Sequence, residues 1–157
     1  MNDIAKYTAA LNSCMGREAN LTIVIESIRE HLASGYLVLL SGQSRTGKTW
    51  LINQLKSDLF LIDKKRKATR QEPLELTPTE LDRIINTKYP IAVDEALTIK
   101  PLDLVDIRKA CTNKHLGTII AAQDLCKVKT YFKNEPLVFE VEMNRYCTLA
   151  IRNYENR

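Results

Sequence analysis

Eight consecutive residues, Gly42-Gln43-Ser44-Arg45-Thr46-Gly47-Lys48-Thr49, fit the spacing G-x-x-x-x-G-K-[ST]. Each fixed position has a chemical reason. Glycines let the backbone curl into a cradle whose N–H groups face an anion, and the N-terminus of a following helix adds its partial positive charge. The lysine places an ammonium among phosphate oxygens, and the hydroxyl after it can sit on Mg²⁺. The spacing points to the phosphates of a nucleotide. Lys48 would supply the point charge and Thr49 the hydroxyl, with Trp50 adjoining, while Gln43, Ser44, Arg45 and Thr46 contribute mainly backbone.

Further along, Ile91-Ala92-Val93-Asp94-Glu95 is an apolar run that ends in two acids. In parallel α/β sheets, ligands gather at the carboxyl ends of strands. Asp94 is therefore expected to hold Mg²⁺ through water, and Glu95 to polarise a water for attack on a γ phosphate. A third run, residues 115–123, ends in Gln123, whose amide can sense that phosphate or the attacking water. A hydrolase needs an oriented water and a kinase must exclude one, so the second acid favours hydrolysis.

The elements that position these groups follow from periodicity. Residues 36–40 are a short apolar run ending at the phosphate loop, as expected of a strand buried on both faces, and a helix is expected from about 47 to 56. Further strands are expected at 59–62, 91–93 and 118–122. Thr77-Pro78-Thr79-Glu80 opens a helix to about 88, with threonine as cap, proline at the first position and glutamate closing a capping box. Pro101 opens another, to about 114. The first 35 residues read as two helices, because Ile4, Tyr7, Leu11 and Met15, then Leu21, Val24, Ile25, Ile28 and Leu32, recur at helical spacing and stop at Gly16 and Gly35. Residues 137–142 and 147–152 alternate around Met143-Asn144-Arg145, which predicts an antiparallel hairpin. The expected fold class is α/β: a three-layer phosphate-loop NTPase with a mostly parallel sheet. An N-terminal helical extension at 1–35 precedes a core at 36–157, within one domain.

Composition agrees. The 157 residues suit one domain, leaving no room for a motor with separate accessory domains, and 45% hydrophobic with 27% charged residues is near the globular average. No apolar run approaches the roughly 18 residues of a membrane span, and the polar start Met1-Asn2-Asp3 lacks a signal-peptide profile, so a cytoplasmic protein is expected. Four dispersed cysteines (Cys14, Cys111, Cys126, Cys147) and two histidines show no metal-site spacing, and reduced structural thiols are expected. Lysine and arginine total 23 against 19 acids, a net charge of +4 that permits a polyanionic partner. Lys64, Lys65, Arg66, Lys67 and Arg70 share a polar stretch that is the best loop candidate, with no aromatic interleaved for base stacking.

Together the phosphate loop, Val93-Asp94-Glu95-Ala96, Arg108 in the next helix and residues 117–123 resemble the P-loop ATPase division that has an added strand and a catalytic glutamate. The run 59–62, between the loop and Asp94, is the candidate for that strand. Within the division the chain resembles the ATPase core of DNA-pumping motors, the FtsK–HerA and conjugative coupling-protein group, and next the RecA-like ATPases. The resemblance covers about residues 36–154 and is specific at the loop and the acidic pair. It implies ATP and Mg²⁺ as cofactors, DNA or a nucleoprotein complex as the object acted on, and a process of a plasmid, phage or similar element such as transfer, packaging, partition or replication. It also implies a homo-oligomer in which an arginine reaches a neighbour's γ phosphate, with Arg108 and Arg145 as candidates. Two other readings stay open: a small-molecule kinase with 64–70 as its basic lid, and an ATP-switched protein-binding module acting through the N-terminal helices.

If Lys64, Lys65, Arg66 and Lys67 contact a polyanion, neutralising all four weakens DNA affinity and flattens its dependence on salt, because each phosphate contact releases counterions. Titrations at several salt concentrations check this; a parent protein without salt-sensitive DNA binding contradicts it.

Overall fold

The side chains of β1 (Leu37–Ser41) are apolar on both faces, and the two sets they present determine where the helices go. In a strand, successive side chains point to opposite faces. Val38 and Leu40 pack with Val24, Ile28 and Leu32 of α1 (Arg17–Ala33) and with Leu51, Ile52 and Leu55 of α2 (Lys48–Leu55). Leu37 and Leu39 lie in the other core, with Ile84 of α3 (Pro78–Asn86), Leu104 and Ile107 of α4 (Pro101–Asn113) and Val128 of α5 (Cys126–Tyr131). The result is helix, sheet and helix in three layers. The computed structural model describes residues 17–43, 46–63, 74–143 and 149–155, so the helix expected at 4–15 and the basic stretch 64–70 lie outside the described residues.

The sheet is completed by β2 (Phe60–Asp63), β3 (Ile91–Asp94), β4 (Thr118–Ala122), β5 (Leu137–Met143) and β6 (Leu149–Glu155). Its order is β2-β3-β4-β1-β5-β6, with β1 to β5 parallel and β6 antiparallel to β5. The expected α/β fold with a mostly parallel sheet and a closing antiparallel hairpin is what forms. The spatial order corrects one expectation: the run 59–62, the candidate for the added strand, is β2 and ends the sheet, and the strand inserted between β1 and β3 is β4, because sequence order does not encode which strands pair. Pairing of Ser41 with Ala122, and of Val93 with Ile120, brings the carboxyl ends of β1, β3 and β4 to one edge.

Local signals set several boundaries. Thr77 Oγ1 accepts from the Glu80 amide at 3.2 Å and Glu80 Oε1 from the Thr77 amide at 3.1 Å, so the capping box opens α3 with Pro78 in its first turn, an arrangement worth about 1 kcal/mol. The helix stops at Asn86, two residues before the expected end. There Lys114 Nζ donates to the carbonyls of Ile84, Ile85 and Thr87 at 3.0, 2.9 and 2.7 Å. These acceptors have no partner within the helix, and an ammonium suits the negative end of its dipole. The short helix α5 was not expected. Of the cysteines, Cys111 is buried and Cys126 exposed, both as free thiols. Among the described residues no helix is long and apolar enough to cross a membrane.

Arg108 is corrected by the structure. Expected as a candidate to reach a neighbour's γ phosphate, it is only 4% exposed. Its guanidinium donates to Glu135 Oε1 at 2.8 Å and Oε2 at 3.2 Å, to the Gly35 carbonyl at 3.0 Å, to Thr118 Oγ1 at 3.1 Å and to the Leu116 carbonyl at 3.3 Å. A guanidinium has five N–H donors, and this set engages every nitrogen. Gly35 and Thr118 mark the amino ends of β1 and β4, whereas the phosphate loop leaves the carboxyl end. Buried and with every nitrogen engaged inside its own chain, Arg108 has no N–H group to offer a neighbour's phosphate. Arg108→Ala should destabilise the fold by about 3–5 kcal/mol, because it empties a buried site and removes the donor that serves the Gly35 and Leu116 carbonyls, the Thr118 hydroxyl and Glu135. Urea unfolding measures this, and a change under about 1 kcal/mol, as surface substitutions give, would contradict it.

Candidate active site

Where β1 ends, the chain must turn in little space. Gly42 has φ 151°, and a β-carbon there would lie 2.6 Å from the Met143 carbonyl oxygen and 2.6 Å from Thr46 Oγ1. The first glycine of the motif is therefore required by the approach of β5 as well as by any ligand. Thr46, buried, donates its hydroxyl to the Gln43 carbonyl at 2.8 Å and closes the loop. Gly47 (φ 99°) is the residue before α2, and no side chain caps that helix. Its first amides are left to an anion, as the motif predicts.

Lys48 Nζ donates to the carbonyls of Gly42 and Gln43, the latter at 2.9 Å. Burial pushes this ammonium below lysine's ordinary range, opposed by the charges of Asp94 and Glu95. Beside it Thr49 Oγ1 donates to Asp94 Oδ2 at 2.7 Å across 45 residues of sequence. Asp94 is 4% exposed, and its Oδ1 accepts the Glu95 amide at 2.9 Å. A hydroxyl and a carboxylate meeting at one point are hard oxygen donors, the set that Mg²⁺ takes when phosphates and waters fill its remaining positions. No group of three or more His, Cys, Asp or Glu side chains able to hold a metal occurs among the described residues. The pair suits a cation that arrives with a nucleotide.

Glu95 follows with φ 50° and ψ 53°, in the left-handed region that costs a residue with a β-carbon about 1–3 kcal/mol. It is exposed and opens the 3-10 turn Ala96–Thr98. Lys48, Thr49, Asp94 and Glu95 together line a cavity of about 390 Å³, within the roughly 300–1,000 Å³ usual for ligand sites. Gly47, Trp50, Leu97, Thr98, Ala122 and Gln123 complete its wall. Because β4 stands between β1 and β3, Gln123 at its end comes to the same cavity as the loop and the acids. Lys48 is the one cation among these lining residues.

Gln43 is exposed and outside this wall, though its carbonyl serves Lys48 and Thr46. Ser44, Arg45, Lys64, Lys65, Arg66, Lys67 and Arg145 lie outside the described residues. Leu97 and Thr98 were missed in the sequence reading. They enter the cavity through a turn too short to leave a periodic pattern; the signal on offer was only a hydroxyl three residues after Glu95.

No protein-family model matches the chain, and no curated protein matches it either. Among solved structures it is similar to a crystal structure of a DNA replication initiation factor, at 15% identity and a TM-score of 0.49, over 89% of this chain and 50% of that one. The chain thus spans half the length of that protein's chain.

The crowding at Gly42 can be tested without any ligand. Gly42→Ala should cost about 1–3 kcal/mol of stability, since its methyl group would overlap the carbonyl of Met143. Chemical denaturation reads the loss, and a variant as stable as the parent contradicts the packing described.

Proposed function

We propose that the chain is a Mg²⁺-dependent ATP hydrolase of the P-loop division with an added strand and a catalytic glutamate. The observation that carries this reading is the 2.7 Å hydrogen bond from Thr49 to Asp94, with Glu95 next in the chain on the wall of the same cavity. The position of β4 between β1 and β3, which delivers Gln123, supports it.

In this reading the loop amides and Lys48 bind the phosphates, and Thr49 and Asp94 would hold Mg²⁺, which neutralises charge on the β and γ oxygens when bound. Glu95 accepts a hydrogen bond, and then the proton, from a water whose oxygen attacks the γ phosphorus. The bond from that phosphorus to the bridging oxygen breaks, and ADP and phosphate leave. Gln123 orients the water or the γ phosphate.

We extend the proposal to the process. The net charge of +4 and the basic stretch from Lys64 to Lys67 support action on DNA or a nucleoprotein complex, in the manner of the FtsK–HerA or RecA-like ATPases that the motifs resemble. Lys48 alone among the described lining residues can meet charge growing on the γ phosphate, which supports self-association with an arginine supplied by a second copy. With Arg108 engaged elsewhere, Arg145 is the candidate that remains.

Lys48→Ala should remove measurable ATP binding in calorimetry while the protein stays folded. Glu95→Gln should bind MgATP as the parent does and lose turnover by about two orders of magnitude or more. Near-normal turnover in Glu95→Gln would remove Glu95 from the chemistry, and phosphate transfer to a screened nucleoside in place of water would favour a kinase. Specific activity should also rise with protein concentration; constant activity from a protein that stays monomeric with MgATP contradicts a shared site.

A further inference from the structure

Glu95 is the residue on which the proposed hydrolysis turns, and its left-handed backbone does not persist unless its surroundings hold it. Two neighbours do so. The Glu95 amide donates to Asp94 Oδ1 at 2.9 Å. The Glu95 carbonyl accepts twice from one residue, from the Thr98 amide at 2.9 Å and from the Thr98 hydroxyl at 2.8 Å.

Thr98 is itself anchored. Its carbonyl accepts the Leu74 amide at 2.7 Å, and the Leu74 carbonyl accepts the Lys100 amide at 3.1 Å, so the segment after the turn is bridged to a separate stretch of chain. Ala96 and Ile99, on either side, are buried in the core. Hydrogen bonds therefore run without a break from Thr49 of α2 through Asp94 and Glu95 to Thr98, along one wall of the cavity.

We propose that Thr98 is a positioning residue for Glu95, its hydroxyl fixing the left-handed turn that keeps the Glu95 carboxylate at the cavity. The inference rests on the hydrolysis reading above. The amide bond from residue 98 is open to any amino acid there, so the hydroxyl is what threonine adds. Without it the Glu95 carbonyl keeps one of its two donors, the strained turn relaxes toward ordinary backbone angles and the carboxylate moves with it. Thr98 is itself on the wall of the cavity, and the role assigned to it is exerted through Glu95.

The test compares Thr98→Val, which keeps shape and β-branching but loses the hydroxyl, with Thr98→Ser, which keeps the hydroxyl. Thr98→Val should lower kcat by about tenfold or more, given that a misplacement near 1 Å can cost about a hundredfold. Its affinity for MgATP should stay within about twofold, since the phosphate loop is untouched, and Thr98→Ser should recover most of the rate. Added to Glu95→Gln, Thr98→Val should cost nothing further, because the two residues form one functional unit. Amide exchange in the protein without nucleotide gives a readout independent of turnover: protection of the residue 98 amide should fall in Thr98→Val and return in Thr98→Ser. An active parent whose kcat is unaffected by Thr98→Val overturns the inference, as does an equal rate loss in the Glu95→Gln background. A parent without ATP turnover, beside lost protection in Thr98→Val, overturns the hydrolysis reading and the positioning role with it, and the exchange data then locate the failure in the chemistry and not in the turn.

Discussion

The carboxylate of Asp94 joins the two parts of the molecule that have to meet for any chemistry to occur. A buried carboxylate is costly unless hydrogen bonds compensate it. Here one oxygen takes the Thr49 hydroxyl and the other the Glu95 amide, so satisfying the charge also ties the phosphate loop to the acidic turn. That closure depends on the sheet. Thr49 and Asp94 come together only because β1 and β3 flank β4 in parallel register, with all three carboxyl ends at one edge. Rearranging the strand order would leave a buried charge without partners.

The same dependence gives the glycines and the strained glutamate one explanation. Gly42 lacks a side chain because the Met143 carbonyl and the Thr46 hydroxyl fill the space where one would project. Gly117, entering β4, lacks one because the backbone of Leu32 passes within 2.6 Å of where a β-carbon would stand. The first fixes how the loop leaves β1, and the second how closely α1 lies against the strand that delivers Gln123. Glu95 occupies the left-handed region at a cost glycine would not bear, and the proposed hydrolysis supplies the reason, since a glycine has no carboxylate.

Much of this was legible in the sequence because the signals were local. The phosphate-loop spacing, the apolar run ending at Asp94 and Glu95, the Thr77 capping box and the strand 118–122 each need only a few adjacent residues to be recognised. What was not legible depends on distant parts of the chain meeting. Nothing near Arg108 says that Glu135 and the Gly35 carbonyl will surround it, so its helix position alone suggested an arginine free to reach a neighbour. The place of β4 between β1 and β3 is a matter of spatial order, which a run of apolar residues does not encode. Helix α5 is six residues long, too short for a helical period to stand out, and the end of α3 moved because Lys114 came from elsewhere in the chain to cap it. Thr98 went unnoticed for the same reason: its hydroxyl matters only once Glu95 has adopted an unusual backbone angle.

The buried arginine has a mechanical consequence. Arg108 gathers the entries of β1 and β4 and the segment at Glu135 into one charged, fully bonded knot, while the opposite edge of the sheet carries the loop and the acids. Gly35, Thr118 and Glu135 lie far apart in sequence, so one side chain sets how the entries of β1 and β4 stand against each other and against the segment before β5. The loop and the acids at the opposite edge make none of these contacts, so the knot and the cavity can be altered separately by mutation.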